Sequence, residues 1–98
     1  MQILSQSRDE IVNVNNLINI FIENDYIKIQ NEAIEGFSIV ALSDNERIKI
    51  VLGFFENKER AKEILQEIIN VYKNGIIRVQ IENCKWVEEN PIYEIPKR

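Results

Sequence analysis

No histidine occurs among the 98 residues, cysteine and tryptophan appear once each, proline twice and glycine three times. Each scarcity removes a kind of chemistry. Without histidine the commonest general base and metal ligand are missing. With Cys84 as the lone thiol, neither an intramolecular disulfide nor a zinc cluster can be written. Gly36, Gly53 and Gly75 stand apart from one another, so no phosphate-cradling glycine loop forms. Neither a cofactor nor a metal is expected, and the chain reads as a non-enzyme. Lys85 beside Cys84 could lower the thiol pKa, but with no histidine partner an inert surface thiol is the better reading.

Long apolar runs are also missing. None approaches the ~20 residues that span a bilayer, and Met1 to Gln6 lacks the basic and apolar regions of a secretion signal. A cytoplasmic location is the expectation, and the lone cysteine suits a reducing compartment. Sixteen acidic residues against twelve scattered basic ones give a net charge of −4. That pattern predicts neither a duplex nucleic-acid partner nor a membrane surface.

What remains is ordinary globular material, 45% hydrophobic and 29% charged, in a length that holds one domain over 1–98. The first half alternates isoleucine and valine with polar residues, and turn formers recur between the runs. Six strands fit, over 2–5, 10–14, 18–23, 26–30, 38–42 and 47–52. Ile18, Ile20 and Ile22 share one face of the third, Asn24-Asp25 reads as a hairpin turn into the fourth, and Asp44-Asn45 turns the fifth into the sixth. Leu52-Gly53-Phe54-Phe55 reads as a strand end bending toward the next element, with one phenylalanine entering the core.

At Lys58 the period changes. Ala61, Ile64, Leu65, Ile68 and Tyr72 fall at helical spacing, with Ile69 widening the stripe, and predict an amphipathic helix over about 58–74. Asn57 suits its N-cap and Asn74-Gly75 a left-handed stop. The charged residues from Glu59 to Asn70 read as its solvated face. Beyond it, Ile77, Val79 and Ile81 alternate like a seventh strand, and 92–95, between Pro91 and Pro96, reads as an edge strand or arm. The expected class is α+β: an antiparallel sheet or half-barrel of six or seven strands plus one helix, with 76–98 as a C-terminal extension able to act as an interface arm between copies.

Ile3-Leu4-Ser5-Gln6, Leu52-Gly53-Phe54-Phe55, Glu59-Arg60-Ala61-Lys62-Glu63 and Tyr93-Glu94-Ile95-Pro96 together resemble short uncharacterised proteins of Gram-positive bacteria and their phages and prophages. The order of strands and then one helix also resembles a pleckstrin-homology-like half-barrel. Neither resemblance brings catalytic residues. The first implies a phage-type protein, a counter-defence inhibitor of a host protein among the options.

Candidate contact residues emerge from residue type. Trp86 and Tyr93 either complete the core or anchor an interface. Arg47, Lys49 and Arg78, with Tyr26 or Trp86, would suit the phosphate and base of a nucleotide signal were they to converge. Glu88-Glu89, beside Trp86, could imitate phosphates, though a solvated turn explains them as well. Function therefore stands as protein binding first and small-ligand binding second, with an enzyme the least favoured reading and a passive homo-oligomeric component a further one.

Overall fold

Gln30 and Asn31 adopt positive φ, 51° and 67°, between Ile29 and Glu32, which face each other across the turn. Two left-handed residues in a two-residue loop make the turn whose twist matches that of paired strands. This turn joins the two longest strands of a computed structural model that describes residues 1–44, 48–81 and 92–98, with the backbone alone over 74–81. In chain order the elements are β1 (Gln2–Leu4), β2 (Ile11–Asn13), a 3-10 turn (Val14–Asn16), β3 (Leu17–Ile29), β4 (Glu32–Ser43), β5 (Lys49–Phe55), α1 (Lys58–Ile81) and β6 (Ile92–Glu94). The class is α+β, with six strands in two small sheets and one helix after the main antiparallel strands.

The larger sheet runs β3-β4-β5, antiparallel throughout. The smaller runs β2-β1-β6, with β1 antiparallel to β2 and parallel to β6. Helix α1 packs on the larger sheet. Asn57 caps it, its Oδ1 accepting from the backbone N–H of Glu59 at 2.8 Å and of Arg60 at 3.3 Å. Ala61, Ile64 and Ile68 bury one stripe against Ile39, Ala41, Leu52 and Phe55, and Ile3, Val12 and Ile95 close the core from the smaller sheet. Fully burying an isoleucine such as Ile64 contributes ~1.5–3 kcal/mol, so this stripe fixes where the helix lies.

Several sequence expectations need correction. Asn24-Asp25 is no turn: β3 passes straight through it, because Asp25 finds partners inside the sheet and the left-handed turn falls at Gln30-Asn31. Consequently β4 starts at Glu32, and Gly36 lies within it. Ile18 leaves the core face. The register shifts between Leu17 and Asn19, and this irregularity leaves Ile18 exposed while Leu17 joins Ile20 and Ile22. The helix does not stop at Asn74-Gly75. No described glycine has positive φ, and one glycine costs a helix only about 1 kcal/mol relative to alanine, too little to end it. Residues 77–81 are therefore helical rather than a seventh strand. Val71 packs on the core, whereas Ile69 and Tyr72 are exposed, so the buried stripe is narrower than its apolar spacing suggested.

Candidate functional site

The ladder that pairs β3 with β4 determines what β3 shows to the outside. A two-residue hairpin loop is closed by hydrogen bonds between its flanking residues, here Ile29 and Glu32. Backbone direction alternates along an antiparallel strand, so Ile27, Asp25, Glu23 and Phe21 also bond toward β4. Ile20, Ile22, Asn24, Tyr26 and Lys28 then direct their N–H and C=O groups away from it. Order β3-β4-β5 makes β3 an edge, and no backbone bond joins Ile20 through Lys28 to any other described segment. The opposite edge is covered at its far end, where Gln6 N–H donates to Leu52 C=O at 2.7 Å.

One outward group is already occupied. Asp25 Oδ1 accepts from the Tyr26 N–H at 2.8 Å, while Oδ2 accepts from the fully buried Ser38 hydroxyl at 2.7 Å. The Ser38 hydrogen bond, followed by that from the Tyr26 backbone, holds the Asp25 carboxyl below its usual pKa. Asp25 is thus a carboxylate fixed at the open edge.

Past the first turn of α1 the β3-β4 hairpin extends without cover, in a molecule 57 Å by 29 Å by 19 Å. Its inner face there forms an open basin of about 660 Å³ lined by Asn24, Tyr26, Ala33 and Phe37, with Glu35 and Glu56 as its acidic side chains, Asp25 at its border with the carboxylate turned to Ser38 on the other face, and no lysine or arginine among its walls. Lys58 stands 5.9 Å from the centre of the Phe37 ring. On the other side of the arm Glu23 pairs with Lys49 at 3.2 Å, and Ile27 and Ile29 are exposed. A second hollow of about 410 Å³ is bounded by Phe54, Asn57, Arg60, Lys97 and Arg98. Arg60 is committed there, bonding the Arg98 carbonyl and pairing with Glu63 at 3.0 Å.

The sequence candidates do not gather in one place. Tyr26 is exposed and lines the acidic basin. Tyr93, in contrast, is half-buried on β6 and packs on the core, and its hydroxyl donates to Glu67 of α1. Burial and then the Glu67 contact push its pKa well up. Tyr93 thereby joins the C-terminal segment to the helix of its own chain. Arg78 lies on the α1 backbone, its side chain outside the described atoms, and Arg47, Cys84, Trp86 and Glu88-Glu89 lie outside the described residues. Lys49 is on β5, paired to Glu23 and 6.0 Å from the Phe21 ring centre. The open β3 edge was missed because Asn24-Asp25 read as a turn; the uninterrupted β-formers on either side were the available signal.

Among the described residues no group of three acidic or thiol ligands is placed to hold a metal, and no helix is long and apolar enough to cross a membrane. No family model, curated protein or solved structure matches the chain.

Proposed function

We propose that this chain is a non-enzymatic interaction protein that binds another protein by taking up one of its strands along β3. The observation that carries the reading is the outward backbone of Ile20, Ile22, Asn24 and Lys28, a long stretch with no described partner on a sheet whose other edge is shorter and covered at Leu52 and Phe54. Exposed edges of this length are commonly blunted in proteins that do not use them. Here Asp25 covers only the Tyr26 N–H, while Tyr26, Ile27 and Ile29 are left exposed beside it. Strand addition obtains affinity from main-chain hydrogen bonds and selectivity from the flanking side chains. Inhibition of a host or defence protein is the form of this activity that the resemblance to phage and prophage proteins favours.

Nucleotide binding is the weaker reading, because the basin that holds Tyr26 is walled by carboxylates that repel phosphate. Asn24→Pro tests the edge. Its N–H points outward, so proline there removes an edge donor without breaking the β3-β4 ladder. A protein retained by the gently purified wild type and lost from Asn24→Pro, with unchanged thermal unfolding, is the expected result. Identical retained material from both proteins would overturn strand uptake.

A further inference from the structure

We infer that the strand taken up at β3 belongs to a different protein and carries arginine or lysine at alternate positions where it passes Glu23 and Asp25; it is not a second copy of this chain. The inference rests on the edge reading above and adds the chemistry of the occupant.

Self-pairing is the first alternative, since an open edge is a template for its own twin. Two β3 edges related by a two-fold axis must pair outward residue with outward residue. Centred on Glu23, such a pair sets Glu23 against Glu23; centred on Asn24, Glu23 against Asp25; centred on Asp25, Asp25 against Asp25. Like charges directly opposite each other across strands are destabilising. Registers centred on Ile22 or Tyr26 avoid like charges but set no cation opposite Glu23 or Asp25. The same geometry favours a strand with cations at those positions.

Acidic groups stand on both sides of the arm. Glu23 and Asp25 flank Asn24 on one face of the sheet, and Glu35 and Glu56 line the basin on the other, beside the Tyr26 and Phe37 rings. An added strand lies ~4.8 Å beyond β3, and the positions between those that pass Glu23 and Asp25 face the basin. Guanidinium suits such a place, pairing with carboxylate and stacking on aromatic rings. Lys49 already pairs with Glu23, but both groups are partly exposed and the pair exchanges readily.

Two fluorescent strand-forming peptides provide the test, one alternating valine with arginine and the other carrying glutamate in place of each arginine. Their binding to the full chain is read by anisotropy at moderate salt. The arginine peptide should bind at least ~10-fold tighter than the glutamate peptide. Glu23→Gln combined with Glu35→Gln should narrow that ratio, and Asn24→Pro should abolish binding of both. Equal affinity for the two peptides, lost in Asn24→Pro, would overturn the cationic occupant and leave strand uptake standing. An arginine preference that survives Asn24→Pro would instead overturn strand uptake and leave only an acidic surface. Binding of neither peptide, or a concentration-dependent dimer of the wild type abolished by Asn24→Pro, would overturn the inference.

Discussion

The side-chain amide of Gln6 engages Phe54 as a neighbouring strand would: Oε1 accepts from the Phe54 N–H at 2.8 Å, and Nε2 donates to the Phe54 C=O at 3.2 Å. The same Nε2 lies 3.1 Å from the carbonyls of Pro96 and Lys97. One side chain therefore joins β1's continuation, the last strand of the larger sheet and the C-terminal segment. It also extends the cover of the β5 edge from Leu52 to Phe54, which leaves β3 with the longer uncovered edge.

Gln6→Ala should destabilise the chain by ~1–3 kcal/mol, since the partly buried Phe54 N–H and C=O lose their partners together. Gln6→Glu retains an acceptor for the N–H but places a charge against three carbonyl oxygens, and should be no better than alanine. Urea unfolding checks both. A Gln6→Ala midpoint equal to wild type would show that the amide does not hold the sheets together.

Gly36 and Phe54 form the second dependence. A Cβ built on Gly36 would fall 2.5 Å from Phe54 Cζ and 2.6 Å from the Phe55 carbonyl oxygen, so the ring covers the glycine and the backbone approaches it. Gly36→Ala should cost ~1–3 kcal/mol by overpacking. Adding Phe54→Ala should not recover it, because the backbone clash remains. At Gly53 the nearest contacts are the Cγ2 of fully buried Ile95 at 2.9 Å and Phe55 Cε2 at 3.2 Å, side-chain atoms with no backbone atom among them, and Gly53→Ala should cost less than Gly36→Ala. Thermal unfolding of the three variants ranks them; a Gly53→Ala loss larger than that of Gly36→Ala would contradict the argument.

How much of this was legible in the sequence depends on the range of the forces involved. The helix start and its inner stripe are readable from Ala61, Ile64 and Ile68, because periodic burial and the Asn57 cap are local signals, whereas its end past Gly75 is not. Ile18 was assigned to the core face, since nothing in its spacing reveals a register irregularity set by β4. Asn24-Asp25 misled because asparagine and aspartate favour turns mainly for their side-chain hydrogen bonds. Ser38, thirteen residues away, supplies Asp25 with that bond inside the sheet instead. Of the residues around the basin, the sequence singles out Tyr26 alone, as a partner for a nucleotide base, and not the acidic groups, because Glu35 and Glu56 reach it only through strand pairing and the β5-α1 junction.

Asp25 gives a pH prediction. Its folded-state pKa is depressed, chiefly by the Ser38 hydroxyl and then by the Tyr26 N–H. A depressed acid contributes stability above its unfolded pKa and loses it as pH falls through the folded value. That loss should begin below about pH 4, the ordinary aspartate range, and extend lower. Ser38→Ala should raise the Asp25 pKa toward that range and narrow the window. Carboxyl-carbon NMR titration of both proteins measures it directly; an unmoved Asp25 midpoint in Ser38→Ala would remove Ser38 as the main cause.

The β3-β4 turn is built from residues that pay a conformational cost. Gln30 and Asn31 hold φ of 51° and 67°, and a non-glycine residue in the left-handed region costs ~1–2 kcal/mol, less for asparagine. Gln30→Asn with Asn31→Gly installs the pair that this turn type prefers. The double variant should be stabilised by ~0.5–1.5 kcal/mol, with most of the gain at Gln30→Asn if the hairpin keeps its register. Because the hairpin also presents the β3 edge, hydrogen exchange of the amides bonded to β4, those of Ile27 and Ile29, should slow in the double variant. The outward amides of Asn24 and Lys28, which bond to no described residue, should exchange as before. Slowing of the outward amides to the same extent would show that they are already paired, and the open edge on which partner binding depends would not exist.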